Sequence, residues 1–148
     1  RAFGGGDSED VGLPSWLEEW RAGGWLDDPV ARQAAMRAFI LYRVNQMAVA
    51  RVAASAAGSA PGPEGSAAKL RSVAAFKERA YLGKALAGAA GMLSETVGHL
   101  EFLTAPSMSI RGGTDEVQRN IVGERILGLP GEPRVDKGVP FSDLKKSH

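Results

Sequence analysis

The run Ser109-Ile110-Arg111-Gly112-Gly113-Thr114-Asp115-Glu116-Val117-Gln118-Arg119-Asn120 gathers the side chains of this sequence best suited to grip a polar ligand. Thr114 is spaced to be a helix N-cap, its hydroxyl accepting from free backbone N–H groups, and Asp115 and Glu116 suit the positive end of the helix dipole. Those features alone are ordinary for a helix start. The glycine pair adds a demand, because residues before a cap need not be glycine unless the backbone takes an unusual angle or something must approach it closely. A ligand is one such thing.

Other chemistries have less to stand on. The chain has no cysteine, which removes disulfides, thiolate catalysis and Cys-based metal sites. Its two histidines are His99 and His148, so a His-ligated metal or a Ser/His/Asp triad would rest on His99 alone, with no ligand-like neighbour at helical spacing. No metal site is expected. Against 18 Lys plus Arg stand 17 Asp plus Glu, with no run of like charge, and a nucleic-acid partner is not expected. Neither a signal peptide nor a transit peptide opens the sequence, and the expected compartment is the cytoplasm.

The elements that must position the motif read as helices. At 148 residues the chain suits one domain burying roughly two thirds of its unfolded surface. Ser15-Trp16-Leu17-Glu18-Glu19-Trp20 follows Pro14 with a capping-box-like opening and ends at Gly23-Gly24, putting Trp16 and Trp20 on one face as packing anchors. Asp28-Pro29 starts a long amphipathic helix to about Ala57, with Met36, Ile40, Val44 and Met47 recurring at steps of four and three. Arg32, Arg37, Arg43 and Arg51 lie off that stripe, solvated or facing a partner. Gly58 to Gly65 is a connector, Ser66 a helix N-cap, and an alanine-rich helix then runs to about Gly91, making an antiparallel hairpin. Met92 to Ile110 reads as short irregular helices and loop. A last helix from Thr114 to about Leu127 turns Val117, Ile121, Ile126 and Leu127 inward and stops at Gly128-Leu129-Pro130. No strand pattern, repeat or membrane span is visible, and the class is all-α.

The opening motif resembles the C-terminal signature of the acyl-CoA dehydrogenases. There the usual run is Tyr-Glu-Gly-Thr-Ser-Glu-Ile-Gln-Arg-Asn-Ile, followed by a basic stretch and Leu-Gly; here Arg111 to Ile121 is followed by Arg125-Ile126-Leu127-Gly128. Two further stretches agree in order: Arg1-Ala2-Phe3-Gly4 is similar to the family's Arg-x-x-Phe-Gly, and Gly62-Pro63-Glu64-Gly65-Ser66 with Lys69-Leu70 looks like the connector and helix start of many bacterial members. The resemblance implies a helical bundle with two long antiparallel helices, as in the family's C-terminal domain. On that reading residues 1–12 are the remnant of a preceding helix and loop, 13–128 the C-terminal helical domain and 129–148 an extended tail.

By position, the resemblance makes Thr114 and Glu116 the residues that touch the adenosine half of FAD, in an enzyme that dehydrogenates acyl-CoA thioesters as in fatty acid β-oxidation. It implies a homo-oligomer or a subunit of a heteromeric acyl-CoA dehydrogenase. The departures are as specific as the agreements. Gly112 occupies the position of the usual catalytic Glu, so no catalytic residue is assigned in this sequence. Gly88-Ala89-Ala90-Gly91-Met92 stands in place of Gln-x-x-Gly-Gly, Arg1 lies two rather than three before Phe3, and Glu124 replaces a frequent arginine. The alternative is a base-less structural partner subunit without flavin of its own.

Overall fold

A computed structural model describes residues 13–55, 62–93, 98–131, 133 and 138–140. Among them there are helices and turns but no strand, as the sequence led us to expect. α1 is Ser15–Ala22, α2 Pro29–Ser55, α3 Glu64–Leu86, α4 His99–Thr104 and α5 Asp115–Ile121. Tighter 3-10 turns at Gly88–Met92 and Ala105–Ser109 and a wider π turn at Val122–Ile126 join or extend them. Arg1 to Gly4, residues 58–61 of the connector, His148 and most of the tail lie outside the described residues.

α2 and α3 form the expected antiparallel pair. Arg37 Nε meets Glu78 Oε1 at 3.3 Å, while further along Ser72 Oγ donates to Asn45 Oδ1 at 2.9 Å, so the register runs in opposite directions along the two chains. Both helices start on prolines. Asp28 caps α2 through Oδ2, which accepts from the Ala31 N–H at 2.8 Å, and Pro29 supplies a pre-set φ at the first helical position. α3 differs from the sequence expectation. Its N-cap is Pro63, and the helix begins at Glu64, because Pro63 (φ −65°, ψ −13°) already holds a helical backbone and its carbonyl accepts from the Ser66 N–H. Ser66 is therefore buried inside the first turn rather than capping. α3 also ends at Leu86, tightening into the 3-10 turn before Gly91. At the start of α1 no side chain caps the helix: the Pro14 carbonyl takes both the Leu17 and Glu18 N–H groups, which displaces the capping box anticipated for Ser15.

The core is built from large rings pressed on small residues. Trp16 and Trp20 stand edge to face with centroids 4.7 Å apart, and Trp16 meets Tyr42 of α2 at 6.1 Å. Such pairs contribute about 0.5–1.5 kcal/mol each beyond their burial. The rings fit because α2 turns Ala35 (0% exposed) and Ala38 toward them, and because Gly83 of α3 has no side chain: a Cβ there would lie 3.0 Å from Trp20 Cζ2. The inward face of α2 is thus its alanine face. The longer apolar stripe points the other way, with Met36, Ile40 (59% exposed), Val44 and Met47 all open to the outside. Of the arginines beside it, Arg32 donates to the Leu26 and Asp27 carbonyls, Arg37 pairs with Glu78 and Arg43 donates to Gln46.

These two faces predict opposite responses. Ala35→Leu overfills the seat of the tryptophans and is expected to lower stability by about 1–3 kcal/mol. Ile40→Gln on the outer stripe should change it by no more than about 0.5 kcal/mol. Urea unfolding of the two variants checks the assignment, and a larger loss for Ile40→Gln would show that the outer stripe is part of the core.

Candidate functional site

The segment after α4 descends through the Ala105–Ser109 turn, where the Ser107 carbonyl collects the N–H groups of Ile110 and Arg111. The chain then reverses through two consecutive left-handed residues, Gly112 at φ +67° and Gly113 at φ +91°. Side chains rarely adopt these angles, which is the physical reason for the glycine pair. At Gly113 space is closed as well: a Cβ would stand 2.6 Å from Gln118 Nε2, whereas nothing crowds Gly112. Gln118 is buried and its amide donates to the Gly112 carbonyl at 3.0 Å, stitching α5 back onto the turn.

Thr114 is the N-cap of α5, as its spacing promised. Its hydroxyl oxygen accepts from the Val117 N–H at 3.3 Å and its carbonyl from the Gln118 N–H at 3.0 Å. The Glu116 carboxyl is held below its usual range, chiefly by its own backbone N–H and then by a hydrogen bond from the Thr114 hydroxyl. The two residues assigned to cofactor binding are thus neighbours in space as well as in sequence. Glu116 also lines an open groove of about 550 Å³, together with Arg119, Asn120, Glu124, Leu129 and Pro130. A carboxylate, an amide and an apolar edge are groups that can meet the hydroxyls and ring of a nucleoside, and the size lies within the range of ligand sites. A comparable hollow of about 640 Å³ on the outer stripe of α2, bordered by Met36 and Ile40, offers mainly apolar surface and lies away from the turn.

The helix interior runs differently from the sequence expectation. Val117, Ile126 and Leu127 are exposed, and the residue that α5 buries is Gln118. α5 stops being α-helical at Ile121, where the backbone widens: the Leu127 N–H reaches the Val122 carbonyl at 3.0 Å, and the Leu129 N–H reaches Gly123 at 2.9 Å past the left-handed Gly128. A π turn shifts the phase of the side chains that follow it, so a plain 3.6-residue period assigns them to the wrong face.

Sequence reasoning missed the charges beneath the turn. Asp115 complements the helix dipole, but it also reaches across to α3. Lys69 Nζ donates to Asp115 Oδ1 at 2.8 Å and to the Gly113 carbonyl at 3.0 Å, and Ser109 Oγ donates to Asp115 Oδ2 at 2.6 Å. Lys77 Nζ lies 2.5 Å from Ser109 Oγ. Hydrogen bonds from Lys69 and Ser109, helped by the charges of Lys69 and Lys77 and opposed by burial, hold the Asp115 carboxyl below its usual range. A carboxylate pinned on both oxygens and made less basic is a poor general base. Asp115 therefore does not replace the carboxylate that Gly112 lacks. No local signature announces a pair 46 residues apart.

The remaining expectations fall as follows. Gly88 is left-handed (φ +55°), and Gly91 is buried where a Cβ would stand 2.7 Å from the Lys84 carbonyl, so close packing accounts for its lack of a side chain. His99 opens α4, its Nδ1 3.2 Å from Lys84 Nζ. Among the described residues no three His, Cys, Asp or Glu side chains gather as metal ligands would, and no helix is long and apolar enough to cross a membrane.

The family model described as Acyl-CoA dehydrogenase, C-terminal domain, matches residues 15–127, from α1 to just past the π turn. No curated protein and no solved structure matches the chain.

Two predictions follow from the turn. Gly113→Ala combines left-handed strain with displacement of Gln118 and should destabilise by about 2–3 kcal/mol, while Gly112→Ala, in open space, should cost about 1 kcal/mol; thermal unfolding ranks them. Asp115, with its folded value lowered, adds stability that is present above the unfolded value and fades as pH falls through the folded one. The stability gap between wild type and Asp115→Asn should therefore hold near neutral pH and shrink below about pH 4, measured by urea titration across that window.

Proposed function

Since the chain belongs to the acyl-CoA dehydrogenase C-terminal domain family, we propose that it is the C-terminal part of an FAD-dependent enzyme that introduces a double bond between Cα and Cβ of an acyl-CoA thioester. The observation that carries the reading is the Thr114 cap after two left-handed glycines, with Glu116 beside it on the rim of an open groove. Thr114 and Glu116 would hold the adenosine half of FAD, the hydroxyl and carboxylate meeting ribose or ring groups as partners of complementary polarity. The flavin, when bound, supplies hydride acceptance at Cβ.

The chain's own residues perform the remainder of its share. At Gly112 the turn offers bare backbone with nothing crowding it, where a cofactor could approach. The exposed stripe of Met36, Ile40, Val44 and Met47 offers a face for subunit assembly, as a homo-oligomer or with a different acyl-CoA dehydrogenase chain. Gly112, which has no side chain, and Asp115, tied to Lys69 and Ser109, leave the removal of the α-proton to another group.

That same vacancy favours a second reading, a structural partner subunit that assembles with an active chain and carries neither base nor flavin. The two readings separate on flavin content. The visible spectrum of the purified full chain, alone and with its assembly partner, is expected to show flavin absorbance under the first reading. Thr114→Val and Glu116→Gln should then each weaken FAD binding by up to about tenfold, the worth of one hydrogen bond to a charged or polar group. A colourless assembly to which added FAD does not bind would leave the structural reading standing.

A further inference from the structure

We infer that Lys69 and Asp115 are positioning residues of the cofactor site, forming a clamp that sets the turn from which Thr114 and Glu116 are presented; the inference rests on the flavin reading above. Two adjacent glycines give the turn its shape but also the greatest backbone freedom, so the conformation must be held from outside. α5, with seven residues, is too short to hold itself by helix formation. Lys69 grips the chain on both sides of Thr114, at the Gly113 carbonyl before it and the Asp115 carboxylate after it. One ammonium group thereby fixes the cap residue's place against α3.

The carboxylate has no freedom to swing, because its other oxygen is taken by Ser109, which in turn meets Lys77. The Lys69 and Asp115 side chains are 21% and 15% exposed, so the half-buried pair is screened less than ion pairs on the open surface. By contrast, Arg119 and Glu116 on the outer side of α5 pair at 3.4 Å with both side chains exposed, where solvent weakens the pair. Neither Lys69 nor Asp115 lines the groove beside Glu116.

The test uses the full chain in its native assembly and compares wild type with Lys69→Met and Lys69→Arg. FAD titration of the apoprotein gives the affinity. Amide hydrogen exchange is followed at Val117 and Gln118, whose N–H groups donate to the Thr114 hydroxyl and carbonyl, and at Ala80, buried in α3. Lys69→Met is expected to weaken FAD binding on the order of tenfold and to speed exchange at Val117 and Gln118 by a similar factor, with Ala80 unchanged. Lys69→Arg should restore most of both. Unchanged exchange at the two cap amides overturns the clamp, as does faster exchange with unaltered FAD affinity, and equal acceleration at Ala80 would reduce Lys69 to a general stabiliser. If the wild type takes up no FAD, the flavin reading fails on its own and the cap amides alone decide the clamp. Should Lys69→Met not fold, Asp115→Asn removes the same ion pair with little change of shape and is judged by the same outcomes.

Discussion

A row of cations on α3 holds the segment from α4 to the π turn in place. Lys69 reaches Gly113 and Asp115, Lys77 reaches Ser109, Arg79 pairs with Glu101 at 2.6 Å, and Lys84 lies against His99 and over the Phe102 ring. The segment from α4 to the π turn needs them, because Ala105 is its sole buried hydrophobic residue among those described. Apolar burial fixes α1, α2 and α3 to one another; long charged side chains then carry the attachment outward to the C-terminal segment. Each such arm adds a directional bond at the cost of ordering a flexible chain, so the geometry comes from several arms acting together.

This division explains what could be read in advance. The long hairpin was legible because α2 opens at Asp28-Pro29, neither long run holds an internal proline and a Gly/Pro-rich connector separates them, and the cap at Thr114 because threonine, two acids and a preceding glycine pair all point the same way. The faces were harder. α2 carries two candidate inward surfaces, a stripe of large residues and a patch of alanines, and periodicity favours the larger. The structure chooses the alanines because Trp16 and Trp20 need room, a requirement visible only once α1 is laid against α2. Similarly, the π turn breaks the phase after Ile121, and Asp115 meets Lys69 across 46 positions of sequence. Steric complementarity and long-range charge pairing leave no periodic trace.

The site divides its labour in the same manner. Thr114 and Glu116 are read from the motif itself, and their closeness follows from the cap. What the motif leaves unsaid is how a turn of two glycines keeps one shape, and the answer lies on another helix. The absence of a side chain at Gly112 has a matching logic: a residue larger than glycine would strain the turn, so the conformation that presents the cap excludes a carboxylate at that position unless the strain is met elsewhere.

The tryptophan pair of α1 has an optical consequence. Two indole rings 4.7 Å apart and inclined by 64° are close enough for their electronic transitions to couple, so helical α1 is expected to give an exciton signature in circular dichroism that separated rings lack. Trp20 also rests against Gly83 of α3, which ties that signature to the seating of α1 on the hairpin. The fold thus contains a label-free reporter of the folded state of α1, independent of any flavin colour.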